Sequence, residues 1–160
     1  MRHSRHAGEI EWVEWDVAAP SFASKRKRKR GIRRRGILYE RSCHGMLQTA
    51  FGDAYVPSPW LRFYGDGRLR WAQPDGILFD PEAGRLTIIE VKYSHTEQAW
   101  NQLHQLYSPL MARLLPDWPI ALVEIVKWYD PCVAVPTTVT LQPNIDKAKL
   151  GCLNVHIWKP

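Results

Sequence analysis

The sequence predicts an α/β domain, a mixed β-sheet flanked by helices. Three observations predict it. Residues 36–51 carry apolar positions at helical spacing, residues 55–93 read as strands separated by turn residues, and residues 96–129 read as a helix followed by a nearly continuous apolar run. A helix, a β-meander, a crossover helix and one more buried strand close most simply into one mixed sheet with helices against it. The chain has 160 residues, enough for one core and hardly enough for two.

The first 35 residues are expected to be a basic arm and residues 36–160 the folded domain. GEIEWVEWDV alternates weakly and is compatible with a short strand or with a helix induced on binding. Residues 24–35, SKRKRKRGIRRR, hold nine basic residues in twelve. Like charges repel, so this segment is expected to stay unstructured until it meets phosphates. Residues 1–36 contain 11 Lys/Arg and 4 Asp/Glu, whereas residues 37–160 contain 11 and 12. A nearly neutral body with a basic appendage points to a polyanionic partner, bound by counterion release without reading base sequence. The residues expected to contact it are Lys25, Arg26, Lys27, Arg28, Lys29, Arg30, Arg33, Arg34 and Arg35. A nuclear localisation signal or a solubilising tail gives the same composition.

GILYERSCHGMLQTAF (36–51) fits a helix through Ile37, Leu38, Met46, Leu47 and Phe51, with Glu40 in its first turns. In residues 55–93, Gly65-Asp66-Gly67 separates LRFY from RLRW, and Pro81-Glu82-Ala83-Gly84 separates GILFD from RLTIIEVKY. Turn residues between β-branched and aromatic runs are the hairpin signal, so three or four antiparallel strands are expected. Trp100, Leu103, Leu106, Tyr107, Leu110, Met111 and Leu114 recur at helical spacing over 96–115, with Thr96 as N-cap and Pro109 as a kink. IALVEIVKWY (120–129) reads as a strand buried on both faces. The tail, 133–160, is expected to add an edge strand, with LNVHIW (153–158) a further candidate. Trp60, Trp71, Trp100, Trp118 and Trp128 are expected mostly in the core.

No run of 18 apolar residues exists and the N-terminus lacks the apolar stretch of a secretory signal. Cys43, Cys132 and Cys152 are odd in number and far apart, which suits free thiols in a reducing compartment. A cytoplasmic protein is expected, with the nucleus as the alternative in a eukaryotic host. Cys43, His44, His95 and His104 lack the ligand spacing of a zinc finger, and His95, three residues past Lys92, reads as a histidine on an exposed loop, with contact to a phosphate near the site as the alternative.

The chemistry concentrates at Gln73-Pro74-Asp75-Gly76 and Glu90-Val91-Lys92. Side chains alternate along a strand, so Glu90 and Lys92 share a face. Asp75 opens the first strand of the hairpin that Glu90 ends, and pairing across the turn at 81–84 brings the two acids to one edge. Two carboxylates at one point repel unless a cation neutralises them, and hard oxygen ligands suit Mg²⁺ or Mn²⁺. A lysine beside them orients or activates water and stabilises charge building on a phosphate. An acid followed two residues on by lysine arises about once by chance in this composition; its position at the end of LTIIEVK is what sets it apart, because a charge leaving an apolar strand needs a partner.

At these residues the chain resembles the PD-(D/E)XK nuclease superfamily, over about residues 36–128 and in the same order of elements. The resemblance implies metal-dependent hydrolysis of DNA phosphodiester bonds, with Asp75, Glu90 and Lys92 as the catalytic core and Asp75 and Glu90 on the metal. It also implies that Glu40, on the first helix, completes the metal shell, and that a glutamine on the later helix assists; Gln98, Gln102 and Gln105 are the candidates. Tyr107 follows Gln102 by five residues, where the family commonly has four. Family members include restriction enzymes, exonucleases, junction resolvases and transposon-end nucleases, and the size and basic arm look like phage or mobile-element members. DNA is the expected partner, with RNA the alternative, and no membrane. A double-strand cut would need a homodimer or larger assembly, yet no segment reads as a dimerisation element. The competing reading is a non-catalytic nucleic-acid binding protein that uses the basic arm alone.

Overall fold

The computed structural model describes residues 6–15, 18–24, 31–82, 84–128, 146–150 and 153–157. Its elements are β1 (Ile10–Trp15), α1 (Ile32–Phe51), β2 (Tyr55–Pro57), β3 (Leu61–Gly65), β4 (Arg68–Ala72), β5 (Gly76–Asp80), β6 (Arg85–Ser94), α2 (Glu97–Asn101), a π-helical turn over Gln102–Tyr107, α3 (Ser108–Leu114), β7 (Ile120–Trp128), β8 (Asp146–Leu150) and β9 (Leu153–Ile157). The fold is mixed α/β, as the alternation of patterns implied.

The expected single meander is instead divided between two sheets. A six-stranded sheet runs β2-β5-β6-β7-β9-β8, and a three-stranded one runs β1-β3-β4. Both hairpins form where the turn residues put them, β3–β4 about Asp66-Gly67 and β5–β6 about residues 81–84. Asp66 and Gly67 both have positive φ, 48° and 69°, the pairing that a two-residue hairpin turn with matching twist requires. Between the hairpins, the chain after Ala72 leaves the small sheet and enters the large one at Gly76.

The 35/36 boundary does not mark a structural break. Ile10–Trp15 is a strand antiparallel to β3, and Ala7 is buried in the core. Arg70, itself buried, donates to the carbonyls of His6 and Ala7 and pairs with Asp66 at 2.6 Å, which anchors this N-terminal strand. Helix α1 begins at Ile32, so Arg33, Arg34 and Arg35 form its exposed first turn. Residues 25–30, where Lys25, Arg26, Lys27, Arg28, Lys29 and Arg30 lie, are outside the described residues, as are Cys132 and Cys152.

β6 is the centre of the large sheet, antiparallel to β5 and parallel to β7. The parallel β6–β7 pair is joined by α2, the π turn and α3, the crossover that parallel pairing demands. Alternation along β6 serves two cores. Leu86 and Ile88 pack with Leu103, Leu106, Leu110 and Met111 of the crossover and with Leu61 and Phe63 of the small sheet. Ile89 and Val91 pack with Tyr39, Cys43 and Leu47 of α1. Ile88 and Ile89 are both fully buried, each contributing about 2 to 3 kcal/mol on area grounds. β7 carries buried residues on both faces, as its near-continuous apolar run predicted. The tail adds two strands: β9 is parallel to β7 and β8 forms the edge. Trp60 is buried, but Trp128 is 52% exposed at the end of β7, contrary to expectation.

The crossover is not a plain α-helix with a proline kink. Thr96 stands at the N-cap position without a side-chain capping bond. Six residues wind as a π turn before Pro109. A proline has no N–H to close the ladder and its ring crowds the preceding turn; widening that turn accommodates it.

Candidate active site

The site forms where β5, β6 and β7 reach one end of the large sheet. Gly76 pairs with Ile89, so Asp75 stands one step beyond, level with Glu90. Glu90 in turn pairs with Glu124 of β7. Three adjacent strands therefore present a row of acids, Asp75, Glu90 and Glu124, with Lys92 two residues beyond Glu90. An Oδ2 of Asp75 accepts the Val91 N–H at 2.7 Å, and Lys92 Nζ donates to Glu90 Oε1.

The turn carrying Asp75 is held from three sides. The Ser58 N–H donates to the Asp75 carbonyl at 2.8 Å, and the Gln73 side-chain amide donates to the Ser58 carbonyl at 2.8 Å. The Tyr107 hydroxyl donates to the Gln73 carbonyl at 3.0 Å. Ser58 reaches its position with φ of 47°, a left-handed conformation uncommon outside glycine. Gly76 is required sterically: a Cβ there would lie 2.5 Å from the Tyr55 ring. Tyr55 in turn shares a 2.6 Å hydrogen bond with His44 of α1.

No family model, curated protein or solved structure matches the chain.

Electrostatics make the chemistry of the site specific. Glu90 is 2% exposed, and burial together with the Asp75 charge pushes its carboxyl up to about 8. Burial also raises Asp75, against the pull of Lys92, with Glu40 adding to the rise. Glu124 is raised by burial, against its hydrogen bond to His95. For Lys92 burial works against the charge, but Glu90 and Asp75 outweigh it, and the ammonium is held above the ordinary lysine value. The site sets one lysine among three buried or part-buried acids in a poorly solvated place, so the carboxyls hold on to protons unless a further cation enters. Oε2 of Glu90 and Oε1 of Glu124 are buried without hydrogen-bond partners.

The other predicted residues divide. Glu40 projects from α1 and its charge reaches Asp75, but its nearest ion-pair partner is His44 at 3.7 Å, and its side chain is 37% exposed. Among the described residues no three His, Cys, Asp or Glu side chains are gathered to hold a metal, so Glu40, Asp75 and Glu90 do not form a closed cage. Of the glutamines, Gln102 reaches the site, its amide donating to the Tyr107 hydroxyl at 3.1 Å. The π turn explains how: its i→i+5 repeat stacks residues five apart, so the longer Gln-to-Tyr spacing still brings the two side chains together. Gln105 is exposed, with its carbonyl accepting from Ala7, and Gln98 is exposed on α2. Arg33, Arg34 and Arg35 are exposed at the start of α1.

The structure adds Glu124 to the site and gives His95 a partner there that the sequence does not show. Glu124 interrupts the apolar run IALVEIVKW, and an acid inside a strand buried on both faces is a signal in itself. His95 does not sit on an exposed loop; its Nδ1 pairs with fully buried Glu124, and its side chain is 12% exposed. His44 pairs with Tyr55 and His95 with Glu124, and the buried Cys43 thiol is raised to about 12 by burial. No helix among the described residues is long and apolar enough to cross a membrane.

Proposed function

We propose that the protein is a metal-dependent nuclease that hydrolyses DNA phosphodiester bonds, with the restriction-endonuclease-like core and the site of the PD-(D/E)XK type. The observation that carries this reading is the meeting of Asp75, Glu90 and Lys92 at one sheet end with an unsatisfied, buried Glu90 oxygen. The succession α1, antiparallel β5–β6, crossover and parallel β7 supports the same reading.

The donors fit a hard divalent cation. Carboxylate oxygens are what Mg²⁺ and Mn²⁺ prefer, and the bare Glu90 oxygen beside a second acid is a place where a proton or a cation must enter. Asp75 and Glu90 would hold the ion, with Glu40 within electrostatic reach. When bound, the ion supplies Lewis acidity toward the phosphoryl group and lowers the pKa of water.

The protein's own groups do the rest. Lys92 keeps its proton at neutral pH, so its role is to donate to a phosphate oxygen and orient water, not to abstract a proton. Hydrolysis joins the water oxygen to phosphorus and breaks the P–O bond to the leaving sugar oxygen, which takes up a proton. Tyr107 and Gln102 hold the Asp75 turn in place. Arg33, Arg34 and Arg35, with the basic segment before them, attract the phosphate backbone.

The test is incubation of purified protein with supercoiled, linear, single-stranded and branched DNA in Mg²⁺, Mn²⁺ or EDTA. The reading predicts cleavage that EDTA abolishes and that Asp75→Ala and Lys92→Ala each lower by at least about 10³-fold. Equal cleavage by either variant would remove the site assignment. DNA binding indifferent to divalent ions, with no cleavage of any substrate, would favour a purely binding protein.

A further inference from the structure

On the face of β6 opposite Lys92 lies a second basic feature. A cavity of about 360 Å³ opens between α1 and the ends of β6 and β7, lined by Arg35, Leu38, Tyr39, Ser42, Tyr93 and Lys127. Arg35, Tyr39 and Ser42 recur at helical spacing on one face of α1. Tyr93 and Lys127 are cross-strand neighbours, between the paired Lys92–Val126 and Ser94–Trp128. The Lys127 ammonium sits 5.9 Å from the Tyr93 ring centre, and Tyr39 meets Tyr93 edge-on at 6.1 Å.

Two properties suggest a ligand. Among the described residues neither Arg35 nor Lys127 forms an ion pair with a carboxylate, although both face the same space. Tyr93 engages both cations without neutralising them, its ring beside Lys127 and its hydroxyl hydrogen-bonded to Arg35. Guanidinium, ammonium and hydroxyl donors converging on one cavity are the donor set for a phosphate. We propose that Arg35, Lys127 and Ser42 hold a backbone phosphate of the DNA strand on the far side of β6 from the scissile bond. This rests on the nuclease reading and adds a position to it. Tyr93 directly follows Lys92 but points to the other face.

The test uses the full chain with Ca²⁺ in place of Mg²⁺, and fluorescence anisotropy of labelled DNA between about 50 and about 300 mM salt. Lys127→Ala and Arg35→Ala/Lys127→Ala are expected to bind about 5-fold and about 30-fold more weakly. On duplex DNA the slope of log K against log salt should flatten by ~0.9 for each phosphate that is no longer neutralised. Lys127→Arg should restore most of the slope, and Arg68→Ala, an exposed charge on β4, should not alter it. Thermal melts check that each variant is folded. Unchanged slopes in the two alanine variants of a protein that cuts DNA overturn this inference and leave the nuclease reading intact. A slope lost in a protein that never cuts supports the phosphate site and counts against the nuclease. Absence of DNA binding by the wild type overturns the inference outright.

Discussion

Replacing Glu90 with glutamine should make the metal-free protein more stable at alkaline pH. The folded state holds this carboxyl at about 8, against 4.5 ordinarily. A folded state that binds the proton more tightly loses stability as pH rises between those two values, and the loss is complete above about 8. At ~1.36 kcal/mol per decade the full effect is about 5 kcal/mol. Lys92 loses its partner in the variant, and removing one member of a buried pair costs about 3 kcal/mol, which leaves a net gain of about 2 kcal/mol. The assay is guanidinium unfolding at about pH 5 and about pH 8.5 in EDTA. Wild type should lose stability between the two and Glu90→Gln much less. Mg²⁺ at tenfold excess over its dissociation constant should restore about 1.4 kcal/mol to wild type only. A variant less stable than wild type at both pH values, or wild-type stability rising with pH across this window, would refute the reasoning that Glu90 is an unsatisfied buried acid awaiting a cation.

Three further outcomes follow from the packing around the site. Tyr107→Phe removes the hydroxyl that joins Gln102 to the Gln73 carbonyl; it should cost about 1 to 3 kcal/mol in chemical denaturation and slow cleavage about 10-fold by loosening the Asp75 turn. His95→Ala leaves fully buried Glu124 without its imidazole and should destabilise by about 3 kcal/mol, most of it recovered when Glu124→Gln is added in a double-mutant cycle. Leu106→Ala in the π turn, at a fully packed position, should cost about 2 to 5 kcal/mol in the same unfolding assay.

Local chemistry made much of this fold legible. Asp66-Gly67 and Pro81–Gly84 announce their hairpins because only certain residues suit those turns, and a hairpin's register follows from its turn. The approach of Asp75 to Glu90 follows from that register alone. What periodicity cannot show is which sheet a strand joins. LRFY and GILFD look alike along the chain, yet the first pairs with β1 and the second with β6. The strand at residues 10–15 is ambiguous in sequence because its partner, β3, lies some 50 positions away and its anchor is the buried Arg70. The π turn is hidden because Leu103, Leu106, Tyr107 and Leu110 satisfy α-helical spacing equally well. Its one trace in the sequence is the stretched interval from Gln102 to Tyr107. Glu124 is visible as a lone acid in an apolar run, but its pairing with His95 depends on the parallel register of β6 and β7.

The central claim is that Asp75 and Glu90 share one divalent ion. Electron paramagnetic resonance of free Mn²⁺, titrated with protein, measures this without reference to any substrate. The account predicts that wild type removes Mn²⁺ from solution at a site that Mg²⁺ competes for, and that Asp75→Ala and Glu90→Ala, both folded by circular dichroism, do not. Mn²⁺ uptake identical in wild type and both variants, or absent from all three, would contradict it.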